Sequence, residues 1–253
     1  MYYDDFMKVS ESAKIKINFM KKYFIGFFIS SIMAGIYIGI AVIFVNTIGC
    51  MFQLNVSKIV TGLGFSLGLN LVVVAGAELF TGNIFIVTVG ILERTVKLID
   101  GIRLLFICYF GNLFGSIIVS LMFFLSGGLN NNVTEFMNNS SLLKISLSNN
   151  EIFFKAIFCN MLVCFAVWSI FRCKSETSKF IMIFLCIFAF VVSGFEHCIA
   201  NMTLIFSSII SPFSENISII GFLNNILYST LGNILGGSLF VALPYYIICK
   251  YRK

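Results

Sequence analysis

Gly76-Ala77-Glu78-Leu79-Phe80-Thr81-Gly82-Asn83 decides the fold, because its pattern returns at Gly194-Phe195-Glu196-His197-Cys198-Ile199-Ala200-Asn201. Both octets read Gly-x-Glu-x-x-x-x-Asn, and they stand 118 residues apart. Each lies inside a long apolar run, 58–92 and 180–211. An ionisable side chain at the centre of a spanning helix costs about 2.5–3.5 kcal/mol on insertion scales, so these glutamates need a reason to be there. The following runs match as well. Gly111-Asn112-Leu113-Phe114-Gly115-Ser116 is echoed by Gly232-Asn233-Ile234-Leu235-Gly236-Gly237-Ser238, at an offset of 121. Glycine-rich helices resemble one another through packing alone. Glutamates at membrane depth do not serve packing, so the repetition reads as an internal repeat of three spans. An odd number of spans inserts the second copy upside down. The expectation is an inverted-topology repeat, 23–126 and 142–249, with the pathway at the repeat interface and broken second and fifth helices supplying its polar lining.

The rest of the chain suits a membrane. It has 253 residues, of which 59% are hydrophobic and 11% charged. A soluble domain carries about 25% charged residues. This composition excludes a free-standing soluble enzyme, a nucleic-acid module and a disordered chain. Six apolar runs occur, at 23–50, 58–92, 102–126, 152–171, 180–211 and 217–249. A spanning helix needs about 20 residues, so the fold class is an all-α, multi-pass integral membrane protein with six transmembrane helices in one domain, 1–253. Residues 1–22 lack a signal peptide's apolar core and cleavage site. Phe6, Val9, Ala13, Ile17 and Met20 recur there at helical spacing, as in a helix lying at the cytoplasmic membrane surface. Residues 127–150 read as an Asn/Ser-rich loop, with one short amphipathic piece at Leu142-Leu143-Lys144-Ile145.

The net charge of +6 is topological. The N-terminal tail holds five lysines, the 2–3 connection Arg94, Lys97 and Arg103, the 4–5 connection Arg172, Lys174 and Lys179, and the C-terminus Lys250, Arg252 and Lys253. Only Lys58, Lys144 and Lys155 fall on the other side. Basic segments stay cytoplasmic, which places both chain ends on the cytoplasmic side of the cell membrane and leaves no charge for a nucleic-acid partner.

Several polar residues carry the chemistry. A carboxylate at a helix break accepts hydrogen bonds from backbone N–H groups left without partners, so Glu78 and Glu196 would hold the breaks. Relaying protons is the alternative role. His197, the only histidine, follows a glutamate at the second break and titrates near neutral pH in its ordinary state. A pathway role is expected, against that of a core residue. One histidine without a ligand cluster makes no metal site, and no cofactor is called for. Leu79, Phe80 and Phe190 flank the breaks and would make hydrophobic constrictions. The eight cysteines show no Cys-x-x-Cys pair and read as small buried apolar residues.

Leu79-Phe80-Thr81-Gly82-Asn83, Gly194 to Met202, and Asn160-Met161-Leu162-Val163-Cys164-Phe165-Ala166-Val167-Trp168 resemble signature stretches of the formate/nitrite transporter family. The resemblance covers the whole six-span chain. It implies an aquaporin-like homopentamer with one pore per protomer, passing formate, nitrite, hydrosulfide or lactate. The Asn-Pro-Ala boxes of true aquaporins are absent; the two prolines are Pro212 and Pro244. By resemblance Thr81 is the pore threonine, His197 the central histidine, Asn201 the asparagine one turn beyond, and Lys144 a vestibule lysine. Leu79, Phe80 and Phe190 match constriction residues, with Phe65 and Leu69 adding to the other slit. Gly82-Asn83 departs from branches with small or hydroxylated residues there, which bears on substrate. The short, cysteine-rich chain looks most similar to the hydrosulfide-channel branch.

The resulting expectation is a channel for small monovalent anions of weak acids. Lys144 would attract the anion, Thr81 and Asn201 would hydrogen-bond it, and His197 would supply a proton or a strong hydrogen bond. A neutral-solute channel of the water or glycerol type is the alternative, disfavoured by the missing boxes. A membrane enzyme would need a nucleophile–base pair or a metal cluster.

Overall fold

The computed structural model describes residues 2–129, 131–211 and 217–251. Pro212, Arg252 and Lys253 lie outside these. The described chain is all-helical. Its helices are α1 (Tyr3–Lys22), α2 (Phe24–Gly49), α3 (Leu54–Ala75), α4 (Phe80–Leu92), α5 (Leu98–Leu125) and α6 (Asn131–Ile145). There follow α7 (Asn149–Arg172), α8 (Glu176–Val192), α9 (Cys198–Ile209), α10 (Ile219–Gly237) and α11 (Leu243–Lys250). A π-helical turn, Ser238–Ala242, joins α10 to α11. Pro244 accounts for that turn, since it has no N–H to give the carbonyl four residues back and its ring crowds it.

Five helices are long and apolar enough to cross a membrane: α2, α3, α5, α7 and the continuous stretch Ile219–Lys250. The short apolar helices α4 and α9 follow α3 and α8 after a break in each case. Both breaks fall at the repeated octets. The backbone turns left-handed at Gly76 (φ +75°) and Gly194 (φ +68°), a conformation that costs any residue with a Cβ. Ala77 N–H donates to Val72 O at 2.9 Å, and Phe195 N–H to Phe190 O at 3.1 Å, so each turn closes the last carbonyls of the preceding helix.

The tightest packing joins α2 to α5 and α7 to α10. A Cβ on Gly115 would lie 2.1 Å from Ile32 O, and one on Gly236 2.4 Å from Ile157 O. Without side chains there, the helix backbones approach closely, as they do in membrane bundles.

Two readings are corrected at the edges of the bundle. The apolar stripe of α1 faces protein: Phe6, Val9, Ala13, Ile17 and Met20 are all buried, and Phe6 packs edge-on against Trp168 of α7 at 6.3 Å. A helix resting on lipid would turn that face to the bilayer. Its first turn is also latched to α7, where Arg172 pairs with Asp5 and covers the ring of Tyr2 at 4.3 Å. The hydrogen bond from Lys8, reinforced by Arg172, holds the Asp5 carboxyl below its usual range. The second correction concerns 127–150, most of which is helix α6 and not loop. Asparagine and serine are poor helix formers, but Val133, Met137 and Ser141, four residues apart, are buried against the bundle, and packing decides.

Candidate functional site

The two breaks bring Thr81 and His197 together. Thr81 sits in the first turn of α4 and His197 is the N-cap of α9. Thr81 Oγ1 lies 3.1 Å from His197 Nε2, and both side chains are buried. His197 Nδ1 accepts the backbone N–H of Ala200 at 3.2 Å. A nitrogen that accepts carries no proton, so the neutral ring holds its proton on Nε2, facing the threonine. The threonine hydroxyl accepts that bond and keeps its own proton free to donate. α4 and α9 both begin at this pair, with the partial positive charge of their N-terminal ends.

Aromatic rings wall one side. The Phe190 ring stacks near-parallel on the His197 imidazole at 5.8 Å, and Phe65 meets Phe190 edge-on at 5.7 Å. Leu69, one turn beyond Phe65 on α3, is buried. Leu79 is the buried N-cap of α4, and Phe80 packs edge-on against Tyr109 at 4.9 Å. A cavity of about 350 Å³ opens from the His197, Phe190 and Phe65 side, lined further by Lys58, Lys144 and Asn46. Thr81, Leu79 and Phe80 do not line it; they lie beyond the histidine.

The glutamates do not work as expected. Glu78 takes Lys16 Nζ on both oxygens, at 2.8 and 2.7 Å, and Asn83 Nδ2 at 2.8 Å. Glu196 takes Lys144 Nζ at 2.8 Å, Asn201 Nδ2 at 2.6 Å and Asn225 Nδ2 at 3.2 Å. Each buried carboxylate is thus paired with a lysine and further hydrogen-bonded, as burial of a charge requires. The backbone donors of the breaks go to asparagines of the neighbouring spans. Asn112 Oδ1 accepts Phe80 N–H at 2.9 Å while its Nδ2 donates to Ser31 O and Glu78 O. Asn233 Oδ1 accepts Cys198 N–H at 3.0 Å while its Nδ2 donates to Ala156 O and Glu196 O. An amide supplies an acceptor and two donors, which a carboxylate cannot.

Two further roles change. Asn201, expected to hydrogen-bond the anion, has both amide hydrogens committed, to Glu196 and, at 2.8 Å, to Asn225. What remains is its oxygen, an acceptor that an anion avoids. Lys144 lines the cavity, but Glu196 balances its charge. Nothing in the sequence pattern singles out Lys16 or Asn225. Asn112 and Asn233 stand in the sequence as repeat markers without a role; their common position in the span after each glutamate was the available signal.

The sequence and overall fold are similar to those of known proteins. The sequence model of the formate/nitrite transporter family matches residues 4–247. The nitrite transporter NirC of Salmonella typhimurium is 38% identical over 223 residues, covering 88% of this chain and 82% of that protein. The formate-nitrite transporter of Plasmodium falciparum is 30% identical over 240 residues, covering 87% and 76%. Among solved structures, an FNT family ion channel superposes with a TM-score of 0.92 at 34% identity, covering 97% of this chain and 98% of that one. A pentameric formate channel with formate bound gives 0.81 at 33% identity, covering 92% and 99%. These relatives are transporters and channels, not enzymes. With its apolar spans, a family match along nearly the whole chain and a closely superposing fold, this multi-pass membrane protein belongs to the formate/nitrite transporter family.

Proposed function

We propose that the chain is a channel for small monovalent anions of weak acids, crossing the membrane six times and working as a homopentamer with one pore per protomer. Pairing α3 with α4 and α8 with α9 as broken spans gives the six crossings. The matched hydrogen bonds of Asn112 and Asn233, and of Lys16–Glu78 and Lys144–Glu196, support two halves of inverted topology. The pentamer rests on likeness to the pentameric formate channel that superposes on this chain.

The observation that carries the function is the Thr81–His197 pair, set between two helix N-termini and behind aromatic rings. An anion arriving from the cavity meets Phe65 and Phe190, which exclude its water. Bare charge is costly there. Partial positive charge from the starts of α4 and α9 offsets part of that cost. The Thr81 hydroxyl donates to the anion, and His197 Nε2–H donates to the hydroxyl. The two bonds polarise one another, which strengthens the donor that faces the anion. Leu79, Phe80 and Leu69 form the opposite constriction. Both chain ends are cytoplasmic, so the cavity is the outer vestibule.

The relatives' names make nitrite and formate first choices, with hydrosulfide the third. Purified protein in proteoliposomes tests the reading. We expect uptake of one or more of these anions well above that of empty liposomes, and glycerol at the empty-liposome rate. Glycerol uptake without anion uptake would make it a neutral-solute channel.

A further inference from the structure

We propose that Lys58, not Lys144, is the charge that captures the anion at the outer mouth. This rests on the channel reading and names a residue that determines its entry rate. Two lysines line the same cavity. Lys144 Nζ sits 2.8 Å from Glu196 Oε1, so that pair presents little net charge to an approaching ion. Lys58 is exposed and has no acidic partner among the described residues. Its place on α3 is specific. Leu54, Lys58, Thr61 and Phe65 all line the cavity, at the spacing of one helix face. That stripe leads from the charge down to the aromatic slit. Seven residues separate Lys58 from Phe65, about 10 Å at 1.5 Å per residue. The separation is about one Debye length at 0.1 M salt.

The distance fixes what Lys58 does. At that separation it acts more strongly on an ion in the cavity than on one inside the slit. It raises the local concentration of anions in a cavity whose remaining wall is largely apolar, and so sets the rate at which unsaturated pores fill. Glu196 cancels the deeper lysine, so an ion passing inward is not held there by an uncompensated cation.

The experiment measures formate uptake by right-side-out membrane vesicles from cells without other formate channels. Wild type is compared with Lys58→Gln, Lys58→Glu and Lys58→Arg, and with Lys174→Gln, exposed on the proposed cytoplasmic side, as a control for net charge. At low ionic strength we expect Lys58→Gln to lower the initial slope of flux against concentration about threefold and Lys58→Glu about tenfold. Saturating flux should not change, and the differences should vanish in about 0.5 M sodium gluconate. Lys58→Arg and Lys174→Gln should behave as wild type. Unchanged slopes in both Lys58→Gln and Lys58→Glu would overturn the proposal. So would equal losses in Lys58→Arg and Lys58→Gln, or losses that persist at high salt, because those belong to structure and not to charge. Wild-type vesicles no faster than vesicles without the protein would instead overturn the channel reading.

Discussion

His197 does two jobs with two nitrogens. Nδ1 caps α9 by accepting Ala200 N–H, and Nε2 faces Thr81. Substitution can separate them. The asparagine side chain places its terminal atoms where Nδ1 stands, and asparagine is among the best N-caps. It cannot extend to where Nε2 meets the threonine. His197→Asn should therefore fold and assemble, keep α9 capped, and lose the donor behind Thr81. We expect slower anion flux than in the wild type at fixed anion concentration throughout about pH 5 to 8. Flux assays on both proteins across that range check this. Superimposable profiles would make the histidine a capping residue only.

At the scale of elements, the bundle is organised around its two breaks, and asparagines of α5 and α10 hold them. Asn233 makes three hydrogen bonds, to Cys198 N–H, Ala156 O and Glu196 O. Asn233→Leu keeps the volume and leaves those backbone groups without partners. Each buried unsatisfied group costs about 1–3 kcal/mol. Asn224 on the same helix is half-buried and its side chain bonds to that of Asn149, away from the break, so Asn224→Leu serves as reference. Detergent-solubilised Asn233→Leu should lose its assembled peak on size exclusion at a temperature well below that of Asn224→Leu, and Asn112→Leu should match it. Equal melting of Asn233→Leu and Asn224→Leu would show that the break holds itself. The breaks themselves were legible, because glycine and glutamate inside apolar runs are conspicuous. What holds them was not. Asn112 reaches back 32 residues to Phe80 and Lys16 reaches across 62 to Glu78, and no local pattern records such contacts. Helix α6 was hidden for another reason. Its Asn/Ser composition opposes helix formation, and only burial of Val133 and Met137 overrides it. Asn201 was misassigned because its residue type suits an anion, while its hydrogens are spent on Glu196 and Asn225.

For the whole molecule, the distribution of lysine and arginine and the paired ion networks make one argument about orientation. Lys16–Glu78 and Lys144–Glu196 are ion pairs at corresponding breaks in the two halves. In an inverted pair they face opposite sides of the membrane. The basic residues then decide which side is which. Lys16 belongs to the tail that also carries Lys8, Lys14, Lys21 and Lys22, so its side is cytoplasmic, and the Lys144 cavity opens outward. The ends of α2 and α7 report on this directly. α2 runs outward to Cys50 and Met51; α7 runs inward to Cys173 and Lys174. Met51 is 69% exposed. With Cys50→Ser and Cys173→Ser removing the partly exposed native thiols, Met51→Cys and Lys174→Cys give single accessible probes, since the other six cysteines are buried. A membrane-impermeant maleimide should label the first variant in intact cells and the second only after permeabilisation. The reverse pattern would invert the molecule, turn the large cavity to the cytoplasm, and make Lys58 the gatekeeper of exit.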